Sequence, residues 1–233
     1  MSSSLSILAM HGWCSDQRTW DPWLPLWQAR AWSWSCGGRG YGQLPSQQPM
    51  WPQIDGPKVV IAHSLGPHLV PPELLAQADA VVLLTSFGRF VPDGREGRRI
   101  EAALAGMAEQ LAGPQPQAML HTFLQRVAAP DPVELLQTTP ASEAMPAAGR
   151  AQLLQDLDRL ARSRGLPAGF PSAARVLLVQ AECDQIVAPE ARRDLEQALP
   201  QADVLRLAAA GHALLRTPVL GLVTAWLEGL AGP

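Results

Sequence analysis

The sequence predicts an α/β protein built on a mostly parallel sheet flanked by helices. Six short apolar runs recur along the chain, and each ends in turn chemistry. Their apolar residues fall on both faces, the pattern of strands buried between two helical layers. Helix-like segments separate several of them, and strands alternating with helices argue a parallel sheet.

In order, Leu5–Met10 leads into His-Gly, and Ala31–Ser35 into Cys-Gly-Gly-Arg-Gly. Lys58–His63 runs into Ser-Leu-Gly, and Ala80–Thr85 into Ser-Phe-Gly. Arg175–Ala181 is followed by Glu-Cys-Asp, and Asp203–Ala208 by Ala-Ala-Gly-His. Pro189–Leu199 and Pro218–Leu230 read as helices. Between Phe87 and Gly169 the alternation stops. Ala, Leu, Gln and Arg dominate there, and Gly106–Leu111, Gln117–Val127 and Gly149–Ser163 carry helical spacing. We read residues 88–169 as a helical cap inserted after the fourth strand, and residues 1–87 and 170–233 as the core around it. The connection Gln43–Pro57 holds four prolines, so the crossover helix expected there is short or missing.

The chain has 233 residues, 47% of them apolar and 17% charged, enough to build a large core and to exclude wholesale disorder. Its net charge of −3 lacks the basic surplus of a nucleic-acid binder. Cys14, Cys36 and Cys183 are odd in number and widely spaced, which indicates neither a disulfide framework nor a metal site and fits a reducing compartment. The first residues carry no basic n-region, and no apolar run is long enough to span a membrane. We expect a soluble, cytoplasmic protein without membrane or nucleic-acid partners.

The sharpest chemical signal is Ala62-His63-Ser64-Leu65-Gly66, between a strand and an expected helix. A nucleophile on a strand-to-helix turn is strained, and small residues two before and two after it prevent backbone collision. On the pentapeptide alone, a Gly-containing turn with a bystander Ser reads as well. A serine nucleophile needs a base, and the base an orienting carboxylate. Asp184 and His212 both lie just past strand ends, the edge where open α/β sheets place ligands. His212 is the only histidine after Asp184, so the choice of base is forced. Glu182 is the nearest competing acid. Asp156 and Asp158 read as a solvated helix face. Gly12, after the first strand, permits a sharp turn that lets the Trp13 amide face the Leu65 amide as an oxyanion hole. His11 reads as a local hydrogen-bonding residue rather than a base, and His63 as wall or packing.

With these residues together, the chain resembles the α/β-hydrolases over almost its whole length. The elbow is joined by His11-Gly12, Arg39-Gly40-Tyr41-Gly42, Asp184 followed by Ile186-Val187-Ala188-Pro189, and Gly211-His212. The order Ser, Asp, His is that family's order. Within the family the chain is most similar to the biotin-pathway esterases that cleave the methyl ester of pimeloyl-acyl-carrier protein. His11-Gly12-Trp13, the Leu84–Phe90 run and Phe123-Leu124 carry that closer likeness, although Val127 stands where a polar residue is expected. The resemblance implies a carboxylesterase with no cofactor and no metal. Pro67, Pro71 and Pro72 depart from the family's long helix after the elbow and should end it early.

Seven of the eight tryptophans precede residue 52 and read as core or cap contacts, except Trp13 at the site mouth. Trp13, Phe87, Phe90, Leu120, Phe123, Leu124 and Leu214 are candidates for an apolar substrate channel beneath the cap. Cap-to-core packing is the other reading of the last six. Arg95, Arg98 and Arg99, with Arg159, Arg162 and Arg164, form two clusters that could steer an acidic carrier protein, or could be ordinary solvated faces. Hydrolases of other small acyl esters, lactones or thioesters, and a non-catalytic ligand-binding protein of the same fold, remain alternatives.

Overall fold

The computed structural model describes residues 4–53, 56–136, 140 and 145–230. Positions 54–55, in the proline-rich connection, and 137–139 and 141–144, in the expected cap, lie outside the described residues. Residues 1–3, part of the N-terminal stretch read for targeting, lie outside them as well.

The strands are β1 (Ser6–Met10), β2 (Ser33–Gly37), β3 (Lys58–His63), β4 (Ala80–Leu84), β5 (Arg175–Ala181) and β6 (Asp203–Leu207). They form one all-parallel sheet in the order β2-β1-β3-β4-β5-β6. The alternation of side chains splits the core in two. Leu8, Met10, Val60, Ala62, Val81, Leu83, Val176 and Leu178 face one apolar layer. Ile7, Ala9, Val59, Ile61, Val82, Leu84, Leu177 and Val179 face the other, where Trp20, Trp23, Trp27 and Trp32 pack.

The inner strands are buried on both faces, as their continuous apolar runs require. The edges differ. β2 is half-buried at its start, and β6 is largely exposed, with Val204 37% accessible. An edge strand has a neighbour on one side only, so apolar residues there do not guarantee burial.

The helices are α1 (Leu24–Ala29), α2 (Pro72–Leu75), α3 (Gly94–Ala112), α4 (Pro116–Ala128), α5 (Ala147–Arg162), α6 (Pro189–Ala198) and α7 (Val219–Glu228). α3, α4 and α5 all fall between β4 and β5, and α3 packs on both α4 and α5. No helix is described between β2 and β3. After the elbow the chain makes only a 3₁₀ turn at Gly66–His68 before the short α2, so the prolines do break the helix there. Among the described residues, no helix is long and apolar enough to cross a membrane.

Candidate active site

The sheet order places β1 between β2 and β3. The chain leaves β1 toward one side of the sheet, and successive strands from β3 onward build the other side. The carboxyl ends of β1 and β3 therefore flank a topological switch point, where such sheets bind ligands. Met10 and Ala62 are register partners, so the loops after these two strands start level. Trp13 lies in the first loop and Ser64 in the second.

Ser64 is buried and adopts φ +55°, a left-handed conformation costly for a residue with a side chain. Its N–H donates to the Leu84 carbonyl at 2.9 Å, and its own carbonyl accepts from Ser86 Oγ at 2.6 Å. The surrounding glycines make room for this turn. A Cβ on Gly12 would stand 2.9 Å from the Ser64 Cβ, and one on Gly66 would collide with the Met10 carbonyl. Leu65 precedes the 3₁₀ turn, where an N–H has no helical acceptor. Neither the Leu65 nor the Trp13 amide donates to a backbone carbonyl among the described residues.

Asp184 and His212 arrive from the ends of β5 and β6. The His212 Nδ1–H donates to Asp184 Oδ2 at 2.9 Å, with both side chains essentially inaccessible. The second oxygen, Oδ1, accepts from the amides of Ile186 (2.7 Å) and Val187 (3.0 Å). Burial alone would raise the Asp184 carboxyl. The His212 imidazole and the two amides outweigh it and hold the group below its ordinary value. Glu182, the competing acid, is exposed.

The other histidines are engaged elsewhere. His11 is fully buried, with Nδ1–H donating to the Gly12 carbonyl at 2.8 Å and Nε2 accepting from the Arg39 amide at 3.3 Å. Burial pulls its pKa down to about 4. His63 donates from Nε2 to the His212 carbonyl at 3.0 Å, and burial followed by the neighbouring His212 lowers its pKa to about 3. His68 lies against the Phe87 ring and its Nε2 meets the Phe87 carbonyl. His121 pairs with Gln125 on an exposed helix face.

Two cavities meet at Ser64, Trp13 and Phe123. The larger, about 550 Å³, is walled by Phe90, Ile100, Leu104, Met107 and Met119, with Glu96, Arg99 and Arg126 also on its lining. The smaller, about 320 Å³, runs past His63 and His212 to Leu124, Val127, Leu214 and Leu220. Trp13 and Phe123 form the partition in an edge-to-face pair at 4.9 Å. Of the channel candidates, Phe90 thus lines the larger arm, Leu124 and Leu214 the smaller, and Trp13 and Phe123 both. Phe87 and Leu120 line neither. They are 1% and 0% accessible and belong to the packed core, because Phe87 sits against Phe90 and His68 while Leu120 points inward from α4.

Asp156 overturns its reading as a surface residue. It is completely buried, accepting from Arg39 Nε and Nη2 at 2.7 Å each and from the Tyr41 hydroxyl at 2.8 Å. Trp13 Nε1 donates to the Leu153 carbonyl on the same helix at 2.9 Å. α5 is thereby tied to both the Arg39–Gly42 loop and the loop after β1. Asp158 does lie on the exposed face, paired with Arg162 at 2.9 Å.

The arginine clusters gather at one end of α3 and α5, where the Phe90 amide donates to Ser163 Oγ at 2.9 Å. Arg95, Arg98, Arg99, Arg159, Arg162 and Arg164 are exposed. Arg99 lies 3.6 Å from Glu96, Arg159 donates to the His68 carbonyl, and Arg164 folds onto carbonyls of its own turn.

No family model matches the sequence, and no curated protein matches it. Solved structures do resemble it. An esterase from Thermogutta terrifontis, bound to malate, superposes with a TM-score of 0.69 at 15% identity, over 99% of this chain and 92% of that one. The enol-lactonase of Burkholderia xenovorans LB400 gives 0.69 at 13% identity, over 100% and 93%. An alpha/beta hydrolase enzyme from a Medee basin deep-sea metagenome library gives 0.60 at 13% identity, over 100% and 90%. At these identities the likeness speaks for architecture. Joined with the six-stranded parallel sheet and the flanking helices, it establishes that the chain has the α/β-hydrolase fold.

Proposed function

We propose that the protein is a serine carboxylic-ester hydrolase. The observation that carries this reading is the Asp184–His212 hydrogen bond, made where Ser64 and His212 line one cavity. With Nδ1 engaged by Asp184, Nε2 is the nitrogen left to take the Ser64 proton. Ser64 Oγ attacks the ester carbonyl, and His212 returns the proton to the departing alcohol. Asp184 fixes the tautomer and stabilises the imidazolium. The Trp13 and Leu65 amides bind the oxyanion. Water activated by His212 then releases the acid. The cycle uses protein groups and water.

In this reading the larger arm takes the acyl chain and the smaller takes the alcohol. The finer assignment is the methyl ester of pimeloyl-acyl-carrier protein, cleaved in the cytoplasm to the free carboxylate and methanol. The likeness of His11-Gly12-Trp13, Leu84–Phe90 and Phe123-Leu124 to the biotin-pathway esterases supports it. So does the arginine-rich end of α3 and α5, suited to the acidic helix of a carrier protein. A lactone or another small ester is the alternative, favoured by the structural likeness to an enol-lactonase.

The test is rescue of a biotin-requiring strain that lacks its own pimeloyl ester esterase. The assignment expects rescue by the wild type and none by Ser64→Ala. It also expects rising salt to slow hydrolysis of the carrier-linked ester more than that of a small free ester. Cleavage of small esters without rescue removes the biotin assignment and leaves the hydrolase.

A further inference from the structure

We propose that Thr85, assisted by His63, is a positioning residue that fixes the main chain of His212 and so aims its imidazole. This rests on the reading of Ser64 and His212 as nucleophile and base.

The His212 carbonyl is gripped twice. Thr85 Oγ1–H donates to it at 2.8 Å, and His63 Nε2–H donates at 3.0 Å. The two donors come from the ends of adjacent strands, β4 and β3, whose residues Leu84 and His63 are register partners. A carbonyl oxygen has two lone pairs, and here both are engaged. The tautomer of His63 follows, since only a protonated Nε2 can donate to a carbonyl. Its Nδ1 is buried and has no partner among the described residues. A buried polar atom left unsatisfied is unfavourable, so the contact at the other nitrogen has to offset it.

Thr85 itself is strained. It adopts φ +42°, a region in which a β-branched residue is an outlier. Its amide donates to the Val179 carbonyl at 2.8 Å, so the strain is held by the sheet and not by a loose loop. The turn directs the Thr85 hydroxyl toward the segment that carries His212. The next residue completes the bracket, because Ser86 Oγ donates to the Ser64 carbonyl. Two consecutive side chains after β4 therefore hold the backbones of both reacting residues, and strain at such a point is typical of functional sites.

The rest of the segment around His212 is held by contacts that, among the described residues, do not involve the His212 carbonyl: Cys183 donates to the Ala210 carbonyl at 3.0 Å, and Gly211 packs against the Ala129 backbone. Ala213 donates to the Val127 carbonyl at 3.1 Å and Leu214 to Gly211 at 3.0 Å. Without the Thr85 hydroxyl the peptide at position 212 can tilt. The imidazole, bonded to Asp184 Oδ2 and lining the same cavity as Ser64, then loses its aim toward the hydroxyl. A displacement of about 1 Å in a reacting group is enough to slow a reaction by roughly 10²-fold.

The experiment compares Thr85→Val, which keeps the shape and loses the hydroxyl, with Thr85→Ser, which keeps the hydroxyl. Steady-state hydrolysis of a p-nitrophenyl ester and the rate of labelling by a fluorophosphonate are read for each. The expected result for Thr85→Val is a kcat and a labelling rate lowered by about 10²-fold, with KM changed less than about threefold. Thr85→Ser should stay within about threefold of wild type in all three. Should circular dichroism show Thr85→Val unfolded, Thr85→Ala replaces it with the same expectations. A wild-type kcat and labelling rate in the hydroxyl-free variant overturns the proposal, as does a loss in Thr85→Ser equal to that in Thr85→Val. Failure of the wild type to be labelled defeats the hydrolase reading itself, a separate outcome.

Discussion

Arg39 and Asp156, far apart in sequence, form a two-pronged ion pair with both Nε and Nη2 at 2.7 Å from the carboxylate. Asp156 is wholly inaccessible, and Arg39 is 19% exposed. Burial disfavours the Arg39 charge, yet Asp156 more than restores it and the guanidinium binds its proton more tightly than usual. Tyr41, held against the same carboxylate, is raised well above its ordinary value, by burial first and Asp156 second. Asp156→Ala leaves a partly buried guanidinium and a buried hydroxyl without their acceptor. We expect a loss of about 3–5 kcal/mol in urea-unfolding free energy, as for breaking a buried pair. A loss under about 1 kcal/mol would contradict the burial described.

Stability should fall in mild acid. The His11 and His63 pKa values, about 4 and about 3, lie below the ordinary 6.5 of the unfolded chain. Between those limits the unfolded state binds more protons than the folded one, so unfolding free energy rises with pH. The stabilisation is complete above pH 6.5 and is lost as pH drops toward about 4. Urea titrations across this window should show an uptake of about two protons on unfolding, and His63→Gln should remove about one. A flat profile between about pH 5 and about pH 6 would count against buried neutral imidazoles.

The larger arm should set the acyl-length preference. Met107, on α3, lines it and is only partly buried, so a larger side chain there projects into the cleft. Met107→Trp should lower kcat/KM for long-chain esters by about tenfold or more and leave acetate esters within about twofold. A chain-length series on both proteins checks this. A parallel fall across the series would show that the acyl group lies elsewhere.

What was legible in the sequence follows from what is local. β1, β3, β4 and β5 announce themselves because both faces are apolar, and Asp184 because it follows β5; His212 is found because it follows the apolar run of β6. β6 is overrated by the same logic, since its pattern does not reveal that it is an edge. The first half of α3 is hidden by Gly94, Gly97 and a cluster of arginines, although Ile100 and Leu104 already share a helical period with Met107 and Leu111. Asp156 is misread because its partners lie 117 and 115 residues away, and no local pattern records them. Phe87 and Leu120 are assigned to the channel because apolar residues near a site look alike whether they face the cavity or the core. The grip of Thr85 and His63 on His212 is a main-chain contact, to which side-chain patterns are blind.

In the proposed mechanism Ser64 is a nucleophile activated by His212 and Asp184. Intact-mass spectrometry after fluorophosphonate treatment tests it most directly, with the adduct located by peptide mapping. One adduct is expected, on Ser64, formed far more slowly in His212→Ala and absent in Ser64→Ala, whose kcat should fall by roughly 10⁴–10⁶ with the fold retained. An unlabelled wild type, or wild-type turnover in Ser64→Ala, would contradict it.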